Sequence, residues 1–470
     1  LWFVEFNGAP TADGGRASAI ALEQRNFRAE ATTARVKFTQ RYSFSTLWNG
    51  VSVAITPDQL PALTRLSSVK TLYPVELISI PETQVSATPE MFTALSMTGA
   101  DIAQSELGYT GKGVKVAIMD TGIDYMHPDL GGGFGSAFKV FTGYDFVGDA
   151  FNADPASPGY NPVPVPDHDP MDTNGHGTHV AGIVGAKGEV IGVAPDVLLG
   201  AYRVFGTEGS TTADIMLLAM ERVLADRMDV LNMSIGSAFQ WPQYPTAQAA
   251  DRLVNRGVVV VASIGNSGAN GLYAAGAPGL GEKVIGVASY DNTHVALNTF
   301  TLSPDNYPIG YANATAAPLA PLSGTASIMA AKDLSGAPPD GQTYGGKVAI
   351  VARGGFTFHA KALAAQNAGA SAVIIHNNAA GRISPTVADT PAITIPVVAI
   401  TQADGLLIMS RLGAGPVAIT WTDTTGSFVN PTGGLISSFS SYGLSPDLAL
   451  KPDIGAPGGL IYSTYPVTKG

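Results

Sequence analysis

The sequence predicts an α/β protein in which a parallel sheet carries helices on both faces, with a small α+β unit ahead of it and a second α/β module inserted into it. Three patterns predict this. From about Tyr109 to Gly265, near-continuous apolar runs of strand length alternate with helical patterns, as strands covered on both faces do. The first 80 or so residues follow a different order: strand, helix, hairpin, helix, strand. Between about residues 300 and 430 the alternation breaks off, and a further set of strands and helices intervenes.

The chain of 470 residues has room for roughly two to four domains, each able to bury its own core. Only 13% of residues are charged, and 55 Gly and 32 Pro make it rich in turns, so a compact, loop-rich protein is expected and a disordered one is not. The net charge of -11 and the lack of a Lys/Arg cluster argue against nucleic acid as a partner. Zero Cys excludes disulfides, thiolate catalysis and cysteine-based zinc sites together. Apolar runs such as GVVVVASIG fall short of the roughly 18 residues of a membrane span, so no membrane association is expected. Leu1 is not Met, and the N-terminus is expected to be a processed or trimmed end whose export signal is gone.

In the first unit, LWFVEF reads as a strand and GAPTADGG as a loop. Helix-forming composition follows from Ala17, then VKFTQRYSFSTLWNGVSVAIT as a hairpin turning at Asn49-Gly50. PDQLPALTRLSS is a helix opened by Pro57 and Asp58, and VKTLYPVELI a last strand. The order βαββαβ is that of a ferredoxin-like split βαβ fold. IPETQVSATPE, residues 80 to 90, reads as an exposed linker.

The main domain then cycles through VKVAIM as strand, HGTHVAGIVGA as helix, DVLLGAYRVF as strand and TTADIMLLAMERVLADRM as a helix capped by Thr211 or Thr212. DVLNMSI, AQAADRLVNRG and VVVVASIG continue as strand, helix and strand. In the insert, GGKVAIVARGG, FTFHAKALAAQNAGA, SAVIIHN and IPVVAITQADGLLIMSRLG supply three strands and two helices. The expected organisation is a first unit over 1–82, a main domain over 83–300 that resumes over 431–470, and an insert over 301–430.

VAIMDTGIDYMHPDL puts Asp120 directly after an apolar strand, where a carboxylate can orient and charge-stabilise an imidazole; a helix cap or a metal ligand are the alternatives. NGHGTHVAGIVGA opens a buried helix with His176, between Gly175 and Gly177, which allow close backbone approach; alone, such a His is as well read as structural. VVVVASIGNSGA ends in Asn266, an amide donor at the same sheet edge suited to an oxyanion.

With these segments in this order, the chain resembles the subtilisin-like serine proteases, the subtilases (peptidase family S8), over roughly residues 92 to 300 and 431 to 470. The resemblance implies a subtilisin-like sheet and carries catalytic roles to Asp120, His176 and Asn266. His176 is then the general base and acid, Asp120 its orienting partner, and Asn266 the oxyanion donor. It also implies a groove for an extended peptide, with Ser234, Ile235 and Gly236 as one wall and the 261–265 stretch, including Ala262, Ser263 and Gly265, as the other. Main-chain recognition in such a groove implies protein or peptide substrates and broad specificity. His179 and His127 read as structural. The acidic loop holding Asp145, Asp149, Asp154, Asp167, Asp169 and Asp172 offers oxygens of the kind Ca²⁺ takes, but lacks EF-hand spacing; no metal site and no cofactor are assigned.

The first unit resembles the inhibitor I9 propeptide, which implies a folding aid and intramolecular inhibitor whose tail enters the groove. The insert resembles a protease-associated (PA) domain through VARGG at 351–355 and AGASAVIIHN at 368–377; a spacer and a substrate-recruiting module are both open readings of it. This order is similar to the minor extracellular, Vpr-like branch of subtilases, or more distantly the plant cucumisin-like one, and implies a secreted, extracellular zymogen.

The family's nucleophile lies in a G-T-S-M-A segment opening a buried helix, and none follows residue 300. SGTASIMAAKDLSGAPPDG offers Ser327, but it comes ahead of the PA-like segments at 351–377, whereas the family's serine follows them, and Pro and Gly soon break the helix, so Ser327 is rejected. KPDIGAPG, from Lys451, resembles the approach to the nucleophile. Two expectations result. One is an endopeptidase whose 470-residue chain stops short of its serine, is inactive and folds poorly; the other is a catalytically dead subtilase-fold protein that binds peptides or protein partners.

Overall fold

The computed structural model describes residues 1–81 and 91–469, so the stretch read as a linker lies outside the described residues from Glu82 onward. The first unit comprises β1 (Trp2–Phe6), α1 (Ala17–Thr33), β2 (Phe38–Phe44), β3 (Gly50–Ile55), α2 (Leu60–Leu63) and β4 (Val69–Pro74). Its antiparallel sheet runs β2-β3-β1-β4, the order of a split βαβ unit. Period-two alternation along β1 sends Val4 and Phe6 to a core with Phe27 and Ala31 of α1, and Phe3 to the opposite face.

One local expectation is corrected. The β2–β3 connection is not a two-residue turn at Asn49-Gly50, because Phe44 already pairs with Gly50 and the loop takes all of 45–49. Longer-range contacts draw that loop out: Leu47 and Trp48 are fully buried against the main domain, and the Asn49 amide donates to the Gly8 carbonyl and the Glu23 carboxylate.

After β5 (Leu77–Ser79), α3 (Met91–Thr98) and α4 (Ala100–Ser105), the main domain follows. It contains β6 (Lys115–Asp120), β7 (Val140–Asp145), α5 (His176–Gly185), β8 (Leu198–Arg203), β9 (Ser210–Thr212) and α6 (Ala213–Ala225). Next come β10 (Val230–Met233), β11 (Ser237–Ala238), α7 (Pro245–Asn255), β12 (Val259–Ser263), β13 (Gly276–Ala277) and β14 (Ile285–Asp291). The insert holds β15 (His294–Leu302), β16 (Tyr307–Asn313), β17 (Thr325–Ala330), β18 (Val348–Ala352), α8 (Phe358–Asn367) and β19 (Ala372–His376). It ends with β20 (Val397–Ile400), α9 (Gln402–Ala414) and β21 (Ala418–Val429), after which β22 (Ile454–Gly459) rejoins the main domain.

The central sheet has the order β22-β14-β12-β10-β6-β8-β7, with every neighbouring pair parallel. Alternation along β6 divides its faces: Ala117 and Met119 pack with Met216 and Met220 of α6 and Ala247 and Leu253 of α7, while Val116 and Ile118 pack with Val180 and Ala181 of α5. The IGAPG part of KPDIGAPG begins the edge strand β22, paired among the described strands with β14, where Pro457 withholds no interior ladder bond.

The insert closes into a barrel, β15-β16-β20-β19-β18-β17-β21, whose parallel portion β17 to β20 is the part with α/β alternation in sequence. Its first and last strands pair His294 with Val429, so the chain leaves and re-enters the main domain at one place between β14 and β22. Ser327 lies on β17, paired with Ala418, and opens no helix.

Candidate active site

Asp120 is the last residue of β6 and His176 the first of α5, and the fold sets them side by side at the carboxyl end of the sheet. The His176 Nδ1–H donates to Asp120 Oδ1 at 2.6 Å, which leaves Nε2 as the outward ring nitrogen. Asp120 is fully buried and His176 is 9% exposed. Burial pushes the imidazole toward its neutral form, but the charge and hydrogen bond of Asp120, with Asp172 farther off, outweigh it and hold its pKa above the ordinary value. Among the described residues, no hydroxyl is hydrogen-bonded to Nε2.

The close approach depends on glycine. A Cβ on Gly177 would stand 2.1 Å from the Gly122 carbonyl oxygen, so α5 can meet the loop after β6 only without a side chain there, and Gly175, at φ +122°, leaves room for the Tyr465 ring. The first amides of α5 are all satisfied: His176 N–H donates to Asn174 Oδ1, Gly177 N–H to Thr121 Oγ1, Thr178 N–H to Asp172 Oδ2 and His179 N–H to the Gly175 carbonyl.

Asn266 is exposed, three residues beyond the end of β12. β10 lies between β12 and β6, so Asn266 shares the carboxyl edge with Asp120, two strand spacings or roughly 10 Å along it. Ser234 follows β10 and its Oγ accepts from Asn232 Nδ2; Ile235 is buried and Gly236 exposed. Ala262 lies inside the sheet between Met233 and Gly286, whereas Ser263 pairs with Val287 on one side and lies past the end of the β10 pairing on the other. Gly265, at φ +119°, turns the chain out of the sheet.

The remaining polar residues have local partners. His127 Nδ1 accepts from the Asp129 N–H. His179 Nε2 bonds the Ile461 carbonyl, and burial together with the nearby His176 lowers its pKa to about 4. Asp145 and Asp149 flank Arg203, Asp154 accepts from the Ala156 N–H, and Asp169 accepts from the Tyr125 hydroxyl. Among the described residues, no group of three or more His, Asp or Glu side chains is arranged to hold a metal ion.

Sequence reasoning missed three contributions. Asp172 gathers the loop before α5, and its signal was a carboxylate four residues ahead of a helix-opening His. The second is residues 461–467, which strap α5: Ser463 Oγ donates to the His179 carbonyl, Thr464 Oγ1 to the Thr178 carbonyl and the Tyr465 hydroxyl to the Asn174 carbonyl. The third is the end of the first unit. β5 pairs antiparallel with β9, and the Ile80 N–H points at the Gly209 carbonyl at 3.5 Å. Ile80 and Pro81 thereby line one open cleft with Asn174, Glu208, Gly209, Tyr465 and Lys469.

A family model described as "Subtilase family" matches residues 111–469. The chain is 36% identical to the minor extracellular protease Vpr of Bacillus subtilis (strain 168), over 90% of this chain and 51% of that protein. It is 29% identical to the PII-type proteinase of Lactococcus lactis subsp. cremoris, over 98% of this chain and 27% of that one. The chain thus spans about half of the first relative's length and about a quarter of the second's. A crystal structure of the epidermin leader peptide processing serine protease of Staphylococcus aureus aligns with a TM-score of 0.45 at 20% identity, over 62% of this chain and 69% of that one.

Proposed function

Because the chain belongs to the subtilase family, we propose that it is part of a secreted serine endopeptidase in which Asp120, His176 and Asn266 do catalytic work. The observation that carries this reading is the 2.6 Å bond from His176 Nδ1 to a buried carboxylate, with Nε2 turned outward. In the proposed reaction, Nε2 takes the proton of a serine hydroxyl as it attacks the scissile carbonyl, then returns it to the leaving amine. Asp120 holds the ring with its proton on Nδ1 and favours the imidazolium that forms. Asn266 donates to the oxyanion from the same sheet edge. The nucleophile is a serine outside residues 1–470, and this chain by itself is expected to be inert.

Substrate is bound as an extended strand between Ser234–Gly236 and the 261–265 stretch, in a groove that residues 207–209 extend. The pairing of β5 with β9 and the contact of Ile80 with Gly209 support that placement, because the first unit already uses this edge. The same contacts support autoinhibition by residues 1–81. Export is supported by the name of the relative Vpr as an extracellular protease; no helix among the described residues is long and apolar enough to cross a membrane.

The test is expression of a longer form that carries a GTS-type segment, assayed with a casein substrate and a fluorophosphonate probe. Labelling at a serine beyond residue 470, lost in His176→Ala, is expected. Labelling at Ser327 overturns the reading by giving a different nucleophile, and no hydrolysis by any longer form overturns it in favour of a peptide-binding protein.

A further inference from the structure

Asp172 stands two residues before Asn174 and touches neither the imidazole nor the cleft, yet its carboxylate is 2% exposed and accepts five hydrogen bonds. Oδ1 accepts from Thr121 Oγ1 at 3.0 Å, the Asn174 N–H at 2.8 Å and the Gly175 N–H at 2.9 Å. Oδ2 accepts from the Thr178 N–H at 2.9 Å and from Thr178 Oγ1 at 2.6 Å.

The two hydroxyls are directed by what they accept. Thr121 Oγ1 takes the Gly177 N–H, and Thr178 Oγ1 takes the Asp124 N–H, so each turns its own proton toward Asp172. Every group facing the carboxylate is then a donor, a surrounding that suits the ionised form and compensates a buried charge. Burial pushes the Asp172 pKa up, and the Thr178, Gly175 and Asn174 bonds oppose that push.

These bonds join the two segments that carry the pair. Thr121 is covalently next to Asp120, Gly177 is next to His176, and Thr178 opens onto the same loop through Asp124. From this arrangement we infer that Asp172 is a positioning residue: acting through Thr121 and the first turn of α5, it sets the approach of Asp120 to His176 and adds a second negative charge beside the imidazolium. The inference rests on the triad reading above. The titratable groups that act on His176 are Asp120 from β6, Asp172 from the loop before α5 and His179 from α5 itself, while Tyr465 and Lys469 both donate to the Asn174 carbonyl two residues before it. Of these carboxylates only Asp120 touches the ring, so the Asp172 charge reaches it without contact.

Histidine-labelled 470-residue chain gives the test without any catalytic turnover. NMR titration of His176, assigned by His176→Ala, is compared among the parent, Asp172→Asn and Thr121→Val. Asp172→Asn is expected to lower the His176 pKa and weaken the low-field resonance of the proton shared with Asp120. Thr121→Val keeps the charge and breaks only the hydroxyl link, so it is expected to weaken the resonance with a smaller change in pKa. An Asp172→Asn chain that folds and titrates like the parent, with its low-field resonance intact, overturns the inference. If that variant does not fold, Thr121→Val decides alone: an unchanged resonance overturns it, and a lost resonance with helix content preserved supports it. In an active longer form, Asp172→Asn should reduce kcat by about 100-fold, as for displaced catalytic groups, with KM nearly constant. A longer form without peptidase activity would sink the triad reading while leaving the two resonances to judge Asp172.

Discussion

Arg41 on β2 and Asp214 at the start of α6 form an ion pair at 3.1 Å in which the aspartate is wholly excluded from solvent. It lies at the seam between the first unit and the main domain, with Phe3, Phe44 and Trp48 packed beside it against α6 and α7. Glu221 of α6 accepts the Thr46 and Leu47 amides at the same seam, and Arg252 donates to the Leu47 carbonyl. Each of these contacts joins residues more than 170 apart in sequence.

Breaking that pair from one side should loosen the seam. Arg41→Met leaves a buried carboxylate without its cation, and a loss of about 3 kcal/mol is expected, since single removals from buried pairs are strongly destabilising. Arg41→Met with Asp214→Asn should recover part of it. Denaturant unfolding of the two single variants and the double variant checks this; additive losses would mean the two residues are not coupled.

Gly177→Ala should separate α5 from the loop after β6. The added Cβ falls 2.1 Å from a backbone oxygen, which has no freedom to swing away. A loss of about 2 kcal/mol is expected from such overpacking, together with a weakened Asp120–His176 resonance. Gly413 on α9 is the control, because a Cβ there meets nothing within 4 Å; Gly413→Ala should stabilise by about 0.5 kcal/mol. Equal melting temperatures for the two variants would refute the contact argument.

His179→Gln should flatten the acid side of the stability curve. Burial first, and His176 second, lower the His179 pKa from 6.5 to about 4. A base with a depressed folded pKa gives stability that is complete above 6.5 and is lost as pH falls toward 4. That contribution is about 3 kcal/mol by the linkage relation. Urea unfolding of parent and variant between those limits reads it directly; parallel curves would remove His179 as a cause.

The acid limb of peptidase activity in the longer form should lie above the ordinary imidazole pKa. His176 must be neutral to accept a proton, and Asp120 and Asp172 favour its charged form against the opposing effect of burial, so activity appears only as pH rises through the raised value. Asp120→Asn should move the limb to lower pH while reducing kcat, and a pH-rate profile of kcat/KM measures both. A limb that stays in place would assign it to another group.

Much of this was legible in the chain alone because it is local. An apolar run that ends in Asp120, a helix opened by His176 between glycines, and a strand that runs out to Asn266 each declare themselves within a dozen residues. The order of elements in the first unit was enough to imply its sheet order. Other features carried no such mark. Leu47 and Trp48 read as ordinary hairpin residues, yet they are buried in a neighbour's core and stretch the turn that Asn49-Gly50 would otherwise make.

The sequence by itself determined most strands and helices of the first unit and the main domain and which side chains could carry proton transfer, because backbone periodicity and strand-end placement are short-range properties; in the insert it showed three of seven strands. Only the tertiary structure decided that Asp172 ties Thr121 to α5, that residues 461–467 strap that helix, and that β15 and β21 close the insert into a barrel. These depend on which surfaces meet across tens or hundreds of residues. Hydrogen bonds of that range are selected by the packed fold as a whole and leave no spacing in the chain to read.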